Sequence, residues 1–295
     1  MKYTKFIASG VLALASLTAC DKDLLSEEQY KKVVYVLSHD NNNVFPMLHA
    51  FEEPESTGYL TVYVSGTLPI DEPVTVEFEY NDTLLSQYNR LNFDIDTAKF
   101  ARRLKPENYT LESMSVTLNP GEQDSYALLP VKIRPEGLSP DSTYMLPLQI
   151  KSISNYELNP KKSTVLYRVY VENKYAEQIK STMYFMKGTR LKDGDKIEAA
   201  IASNKRLKPI SATRVRLFPE AITYKEELDY IKRWAIYLDI NDNGTVDVSS
   251  VDEVEVEQLP GCKYDAGKEW ITINYRYKNS ENRWCTINEV LKRVK

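Results

Sequence analysis

The sequence predicts an all-β protein of two domains, and three observations support that. Period-two alternation recurs along the chain: in "GYLTVYVSGTL", Leu60, Val62 and Val64 alternate with Tyr59, Thr61 and Tyr63. In "PVTVEFEY", Val74, Val76, Phe78 and Tyr80 alternate with Thr75, Glu77 and Glu79. This alternation marks half-buried strands. Pro- and Gly-containing turns punctuate the strands at short intervals, as in "TLNPGE" and "QLPG". The chain of 295 residues, 42% of them hydrophobic, has length for two ordinary domains and apolar content for packed cores.

Taken in order, "SMSVTLNPGE", "YALLPVKIRP", "YMLPLQIKSI" and "STVLYRVYVEN" continue the strand pattern of the first domain. One short helix is expected from Thr83 to Asn89. Many short strands with frequent turns fit an immunoglobulin-like antiparallel sandwich over residues 30–173. After Asn173 the pattern changes. In "NKYAEQIKSTMYFMKGTRL" a brief helical turn is expected at Tyr175 to Ile179 and then a strand, followed by strands in "ATRVRLFPEAI", "WAIYLDIN", "GTVDVSSV", "EVEVEQLPG", "EWITINYRYKN" and "RWCTINEVLKRV". They predict an antiparallel β-meander over residues 174–295, closed as a barrel, calycin-like, or stacked as a second sandwich. Trp234 aligns with Ile236, Leu238 and Ile240 and is expected in its core.

The N-terminus has another character. Lys2 and Lys5 precede an apolar stretch from Phe6 to Leu17, and "LTAC" ends at Cys20. The stretch is too short to span a bilayer and has the flanks of a secretory signal over residues 1–19. Small residues before a cysteine resemble the lipobox of bacterial lipoproteins. The resemblance implies cleavage before Cys20, acylation of its thiol, and a charged tether over residues 20–29. Lipid anchorage would then be the only membrane contact, at an outer membrane and facing outward. The net charge of -4 argues against nucleic acid, which calls for a basic footprint. An exported compartment permits a disulfide between the remaining Cys262 and Cys285, and sequence leaves their pairing open.

Candidate chemistry is sparse. "DINDNGTVD" places Asp239, Asn241, Asn243, Gly244 and Asp247 at calcium-loop spacing. The twelfth position is Ser250, and Asn243-Gly244 is the preferred pair of a tight hairpin, so a hairpin without calcium is predicted. His39 and His49 are the two histidines, expected at surface or loop positions, and no nucleophile elbow accompanies them. Asp94 and Asp96 are expected to cap or to face solvent. No cofactor, metal site or catalytic residue is predicted.

The aromatic content, 21 Tyr and 3 Trp, is high. In "EWITINYRY", Ile271, Ile273, Tyr275 and Tyr277 share one face; Trp270, Thr272, Asn274 and Arg276 share the other. A hairpin about Ser280 sets Arg276 opposite Trp284 and Asn274 opposite Thr286, with a register open by one pair. Tryptophan on a polar face calls for a covering layer or a partner. Trp270, Trp284, Arg276 and Asn274 are the candidate glycan contacts.

The segments "DTLLSQYNRLNFD", "LKPENYTLESMSVTLNPGE", "YMLPLQIKSIS" and "YVENKYA" resemble domain of unknown function 1735 over about residues 30 to 175. "ATRVRLFPEAI", "DAGKEWITINYRYKN" and "NEVLKR" are similar to domain of unknown function 4361. The resemblance implies a lipoprotein of a Bacteroidetes polysaccharide-utilisation locus. Its expected partners are glycan, an outer-membrane importer and other surface lipoproteins. The expected role is non-catalytic glycan binding, with a structural or protein-interaction subunit as the alternative.

Overall fold

The structure is a computed structural model that describes residues 27–39, 42–121, 125–180 and 182–294. Cys20, the signal segment and most of the tether lie outside the described residues. The first domain runs through β1 (Val33–Val36), β2 (Val44–Ala50), β3 (Ser56–Val64), β4 (Val74–Tyr80), helix α1 (Asp82–Phe93), β5 (Arg102–Arg103), β6 (Tyr109–Thr110), β7 (Ser115–Leu118), β8 (Tyr126–Ile133), β9 (Tyr144–Ile153), β10 (Glu157–Leu158), β11 (Thr164–Asn173) and β12 (Ala176–Glu177). The second holds β13 (Met183–Lys192), β14 (Ala199–Arg206), β15 (Lys208–Pro209), β16 (Arg214–Leu217), helix α2 (Leu228–Trp234), β17 (Ile236–Ile240), β18 (Val246–Ser250), β19 (Val256–Gln258), β20 (Lys263–Asp265), β21 (Trp270–Lys278) and β22 (Trp284–Arg293).

The first domain is a two-sheet sandwich. Sheet 1 has the order β10-β1-β3-β8-β6; sheet 2 has the order β12-β11-β9-β4-β7, with β2 on β11 and β5 on β9. The expected alternation places Leu60, Val62 and Val64 of β3 and Val74, Val76 and Phe78 of β4 in the shared core. Three pairings depart from the antiparallel expectation: β1 with β10, β2 with β11 and β5 with β9 run parallel. Each joins strands that lie far apart in the chain, so no hairpin constrains their direction.

Helix α1 is longer than its expected Thr83–Asn89. Its Asn81 cap accepts from the Thr83 amide at 3.1 Å, and Asn89 is fixed by the backbone of Ala101 through bonds of 2.7 and 2.9 Å. Leu84, Leu85 and Tyr88 pack on Met145 and Leu166, which is why β9 is buried on both faces. Asp94 ends α1 at φ 50, and Asp96 pairs with Lys99 at 2.9 Å, in keeping with capping and solvated roles.

His49 departs from expectation. It is fully buried in β2, with Nδ1 3.2 Å from Ser56 Oγ and Nε2 2.9 Å from Tyr167 Oη. Its position in β2 points it into the sandwich, where both ring nitrogens find partners. Gly58 makes room: a Cβ there would lie 2.0 Å from Tyr167 Oη. Burial drives the His49 imidazole down to a pKa of about 4.

In the second domain, sheet 3 has the order β14-β13-β22-β21-β19, with β20 on β21; sheet 4 has the order β15-β16-β17-β18. They enclose a second core, with Ile271, Ile273, Tyr275, Tyr277, Cys285 and Ile287 on one side and Val215, Leu217, Ile236, Leu238 and Ile240 on the other. The two sheets meet at one seam. There Gln258 of β19 accepts from the Val248 amide at 2.6 Å and donates to the Val246 carbonyl at 3.3 Å, a side-chain rung in place of a ladder bond.

The strands after residue 235 follow the sequence expectation except for the unanticipated β20, and three details elsewhere in this half differ. In place of a helical turn at Tyr175 to Ile179, Lys174 and Tyr175 make the hairpin turn into β12, because the Asn173 side chain accepts from the Tyr175 and Ala176 amides at 3.0 and 2.8 Å and folds β12 onto β11. Trp234 ends α2, half-buried against a satellite cluster with Phe218 and Ile231, instead of opening the next strand. Strand β14, "AAIASNKR", was not anticipated, and its alternation is weak in the sequence.

The domains are joined by specific polar contacts. Buried Arg216 grips Asp141 with two bonds of 2.5 and 2.6 Å. Asn173 donates to the carbonyls of Ser211 and Arg214 at 2.7 and 3.1 Å, and Gln178 donates to that of Pro140 at 2.8 Å. Among the described residues no helix is long and apolar enough to cross a membrane.

Candidate functional site: the outer face of sheet 3

Alternation in β21 and β22 sends Ile271, Ile273, Tyr275 and Tyr277 inward with Cys285, Ile287 and Leu291. Trp270, Thr272, Asn274, Arg276 and Lys278 turn outward, with Trp284, Thr286, Asn288, Val290 and Lys292 beside them. The observed register sets Arg276 against Thr286, Lys278 against Trp284 and Asn274 against Asn288. This lies one pair from the expected register and leaves every side chain on its expected face. The hairpin turn centres on Glu281, one residue beyond Ser280: Asn279 accepts through Oδ1 from the amides of Glu281 and Arg283 and so closes it.

Read across the strands, the face forms parallel rows. Phe185, Lys292, Trp270 and Asp265 are consecutive neighbours from β13 to β20. Lys187, Val290, Thr272 and Lys263 make the next row, then Thr189, Asn288 and Asn274. Leu191, Thr286, Arg276 and Glu257 follow, and Trp284 with Lys278 closes the far end. Among the described residues no further helix or sheet covers the face, and Phe185 is 43% exposed. Depressions of about 180 and 280 Å3 lie beside α1 and along the start of α2.

The four candidate residues do not converge on one point. Trp270 and Trp284 stand at opposite ends of the hairpin, roughly 27 Å apart at a strand rise of about 3.4 Å per residue. Both indoles are half-buried and flanked by cations. Arg276 Cζ lies 4.6 Å from the Trp284 ring centroid, and Arg276 is itself held by Glu257 at 2.6 Å. Lys292 Nζ lies 4.0 Å from the Trp270 centroid, with Lys268 at 5.3 Å. Cation–π contact is therefore part of the covering these tryptophans call for. Asn274 donates to the Pro260 carbonyl at 3.0 Å and pins the 259–262 loop. Phe185, Lys187, Lys263 and Lys292 were missed, because the outward row of β22 and its pairing with β13 emerge only from the register.

Beneath this face lies a buried charged network. Lys205 and Glu289 pair at 2.6 Å with side chains 5% and 0% exposed. Tyr275 Oη donates to Glu289 Oε1 at 3.1 Å and accepts from the Glu220 amide at 3.0 Å. Glu220 also accepts from Tyr277 Oη at 2.9 Å and pairs with Arg190. Burial raises the Glu289 carboxyl above its ordinary range and lowers the Lys205 ammonium. The second Glu289 oxygen, Oε2, is buried and unpartnered among the described residues. The pair faces the core between the sheets, away from the outer face.

The remaining motifs resolve plainly. Cys262 and Cys285 are free and buried: Cys262 accepts from the Asn274 amide at 3.2 Å, whereas Cys285 stands opposite Tyr277. "DINDNGTVD" is the β17–β18 hairpin, with Gly244 at φ 81, Asp239 bound to Arg214 at 2.7 Å, and Asn241 donating to Asp247 at 2.8 Å. His39 is exposed.

Residues 30–157 match the family model of an N-terminal domain, and residues 163–292 match that of a C-terminal domain. Three solved structures share the fold. A protein of unknown function from Bacteroides ovatus is 16% identical with a TM-score of 0.61, covering 89% of this chain and 92% of that one. A Bacteroides ovatus multidomain protein including domain of unknown function 1735 is 14% identical with a TM-score of 0.61, over 88% and 94%. An auxiliary nutrient binding protein from Bacteroides thetaiotaomicron is 17% identical with a TM-score of 0.59, over 85% and 91%. At these identities the likeness is one of fold. No curated protein matches.

Proposed function

We infer that this chain, which joins one domain of each matched family, is a non-catalytic glycan-binding protein held at a cell surface by a lipid on Cys20. The observation that supports this most is the outer face of sheet 3, which no described helix or sheet covers and where two half-buried indoles flank a floor of Thr and Asn. An open sheet face suits an extended polymer better than a small molecule in a cavity. Indole faces meet sugar C–H surfaces while amide and hydroxyl groups meet their rims. The auxiliary nutrient binding protein that shares the fold agrees with such a role. The test is glycan retention by the wild type and by Trp270→Ala and Trp284→Ala at unchanged melting temperature; retention unaltered in both variants removes the site. Anchorage is tested by mass spectrometry of the mature N-terminus.

A second reading, docking of the first domain onto a neighbouring surface lipoprotein or importer, is favoured by one feature of sheet 1. Tyr35, Tyr63 and Tyr126 lie side by side on its outer face, with Leu37, Thr61 and Leu128 in the next row. Leu37 is 48% exposed, and no charged side chain stands in either row.

A further inference from the structure

We propose that the Trp270 end of the sheet 3 face selects anionic glycans, those bearing uronate carboxylates or sulfates; this rests on the glycan-binding reading of the same face. The argument begins with charge. Six cations line this face and its margin: Lys187, Lys263, Lys268, Arg276, Lys278 and Lys292. Three are neutralised by a carboxylate: Lys268 by Asp265 at 3.3 Å, Arg276 by Glu257 at 2.6 Å and Lys278 by Glu255 at 2.8 Å. Lys187, Lys263 and Lys292 form no ion pair among the described residues. The protein as a whole carries a net charge of -4, so a surplus of cations on one face runs against its composition.

The three lysines are also grouped. Lys187 and Lys263 stand in the same row on either side of a floor of Val290 and Thr272, roughly 14 Å apart at three inter-strand gaps. Lys292 and Trp270 are paired in the adjoining row. The glycan would thus lie on an uncharged floor with ammonium groups at both margins and an indole beside it.

Lys292 supplies the selectivity. In the free protein its ammonium sits 4.0 Å from the Trp270 centroid and occupies a ring face. A neutral sugar must displace this cation and offers nothing in return. An anionic sugar offers the ammonium a charge-assisted hydrogen bond, which draws it from the ring and opens that face to the sugar's C–H surface. The preference is therefore built from a penalty against neutral chains as well as an attraction to charged ones.

The test is affinity electrophoresis and indole fluorescence of the full chain with three probes: polygalacturonate, a neutral mixed-linkage β-glucan, and poly-glutamate. Polygalacturonate is expected to bind at least tenfold more tightly than β-glucan, weaken with added salt, and change the indole emission. The triple variant Lys187→Ala/Lys263→Ala/Lys292→Ala is expected to lose at least tenfold toward polygalacturonate and to narrow the gap to β-glucan. Trp270→Ala is expected to lose the emission change and most of the affinity. The proposal is overturned if β-glucan binds as tightly as polygalacturonate, if the triple variant keeps its affinity, or if poly-glutamate binds equally well, the last showing charge without sugar recognition. Tight β-glucan binding alone overturns the anionic preference and leaves the glycan-binding role standing; absence of binding to any glycan overturns both.

Discussion

The two domains solve one packing problem with different materials. The first sandwich places a neutral polar cluster in its core, His49 with Ser56 and Tyr167. The second places a charged one there, Lys205 with Glu289, joined through Tyr275 to Glu220 and Tyr277. The outer faces differ as well: sheet 1 presents tyrosines and leucines, whereas sheet 3 presents tryptophans among cations. A neutral interior cluster keeps its partners at little desolvation cost. Removing one member of a buried ion pair leaves the other charge uncompensated. The difference teaches that burial of a polar group says little about function until its partners and its access to solvent are known.

The largest effect expected from breaking this contrast is in the second core. Glu289→Leu leaves Lys205 buried without a counter-charge and is expected to cost about 3–5 kcal/mol in urea unfolding. The double variant Lys205→Met/Glu289→Leu should recover most of that loss. Equal loss in the single and double variants would mean that the pair's geometry, not its charge, matters.

Next in size is the acid response of the first core. Burial holds the folded His49 at about 4, below its ordinary value of 6.5. Between those values the unfolded chain takes a proton that the folded one refuses, so stability falls as pH drops from about 6.5 to about 4. At about 1.36 kcal/mol per pKa unit the loss is about 3 kcal/mol. His49→Gln should flatten this part of the pH profile. Glu289 has the opposite sign: its raised carboxyl makes its own contribution greatest in acid and smaller as pH rises through its folded value.

Gly58→Ala is smaller again. Its Cβ would meet Tyr167 Oη at 2.0 Å, and overpacking of this kind costs about 1–3 kcal/mol. Adding Tyr167→Phe is expected to relieve part of the strain, read from the shift of the urea midpoint.

How much of this was legible beforehand divides along physical lines. The alternating rows of β3, β4 and β21 announced both the strands and their faces, because period two is a property of neighbouring residues. The Trp270 and Arg276 face was readable for the same reason. Its lysines were not: Lys187 and Lys263 come from other strands, and only the pairing of β13, β22, β21 and β20 brings them to Trp270. The parallel pairing of β2 with β11 was hidden because no turn links them. His49 was placed at the surface by residue type, although Leu48 and Ala50 beside it already marked a strand. Helix α2 was overlooked because "WAIYLDIN" reads as one continuous alternation, with the break at Ala235 hidden inside it.

Smallest is the hairpin at Gly244. Its φ of 81 suits glycine, so Gly244→Ala is expected to cost about 1 kcal/mol. Chelator should leave the melting temperature unchanged, since Asp239 is committed to Arg214 and Asn241 to Asp247.

The central claim is that the outer face of sheet 3 is where sugar is held. Its most direct measurement is isothermal titration of a bound oligosaccharide into the wild type and into Trp270→Ala/Trp284→Ala, with melting temperatures matched. The account predicts heat of binding in the first and none in the second. An undiminished signal from the double variant contradicts it.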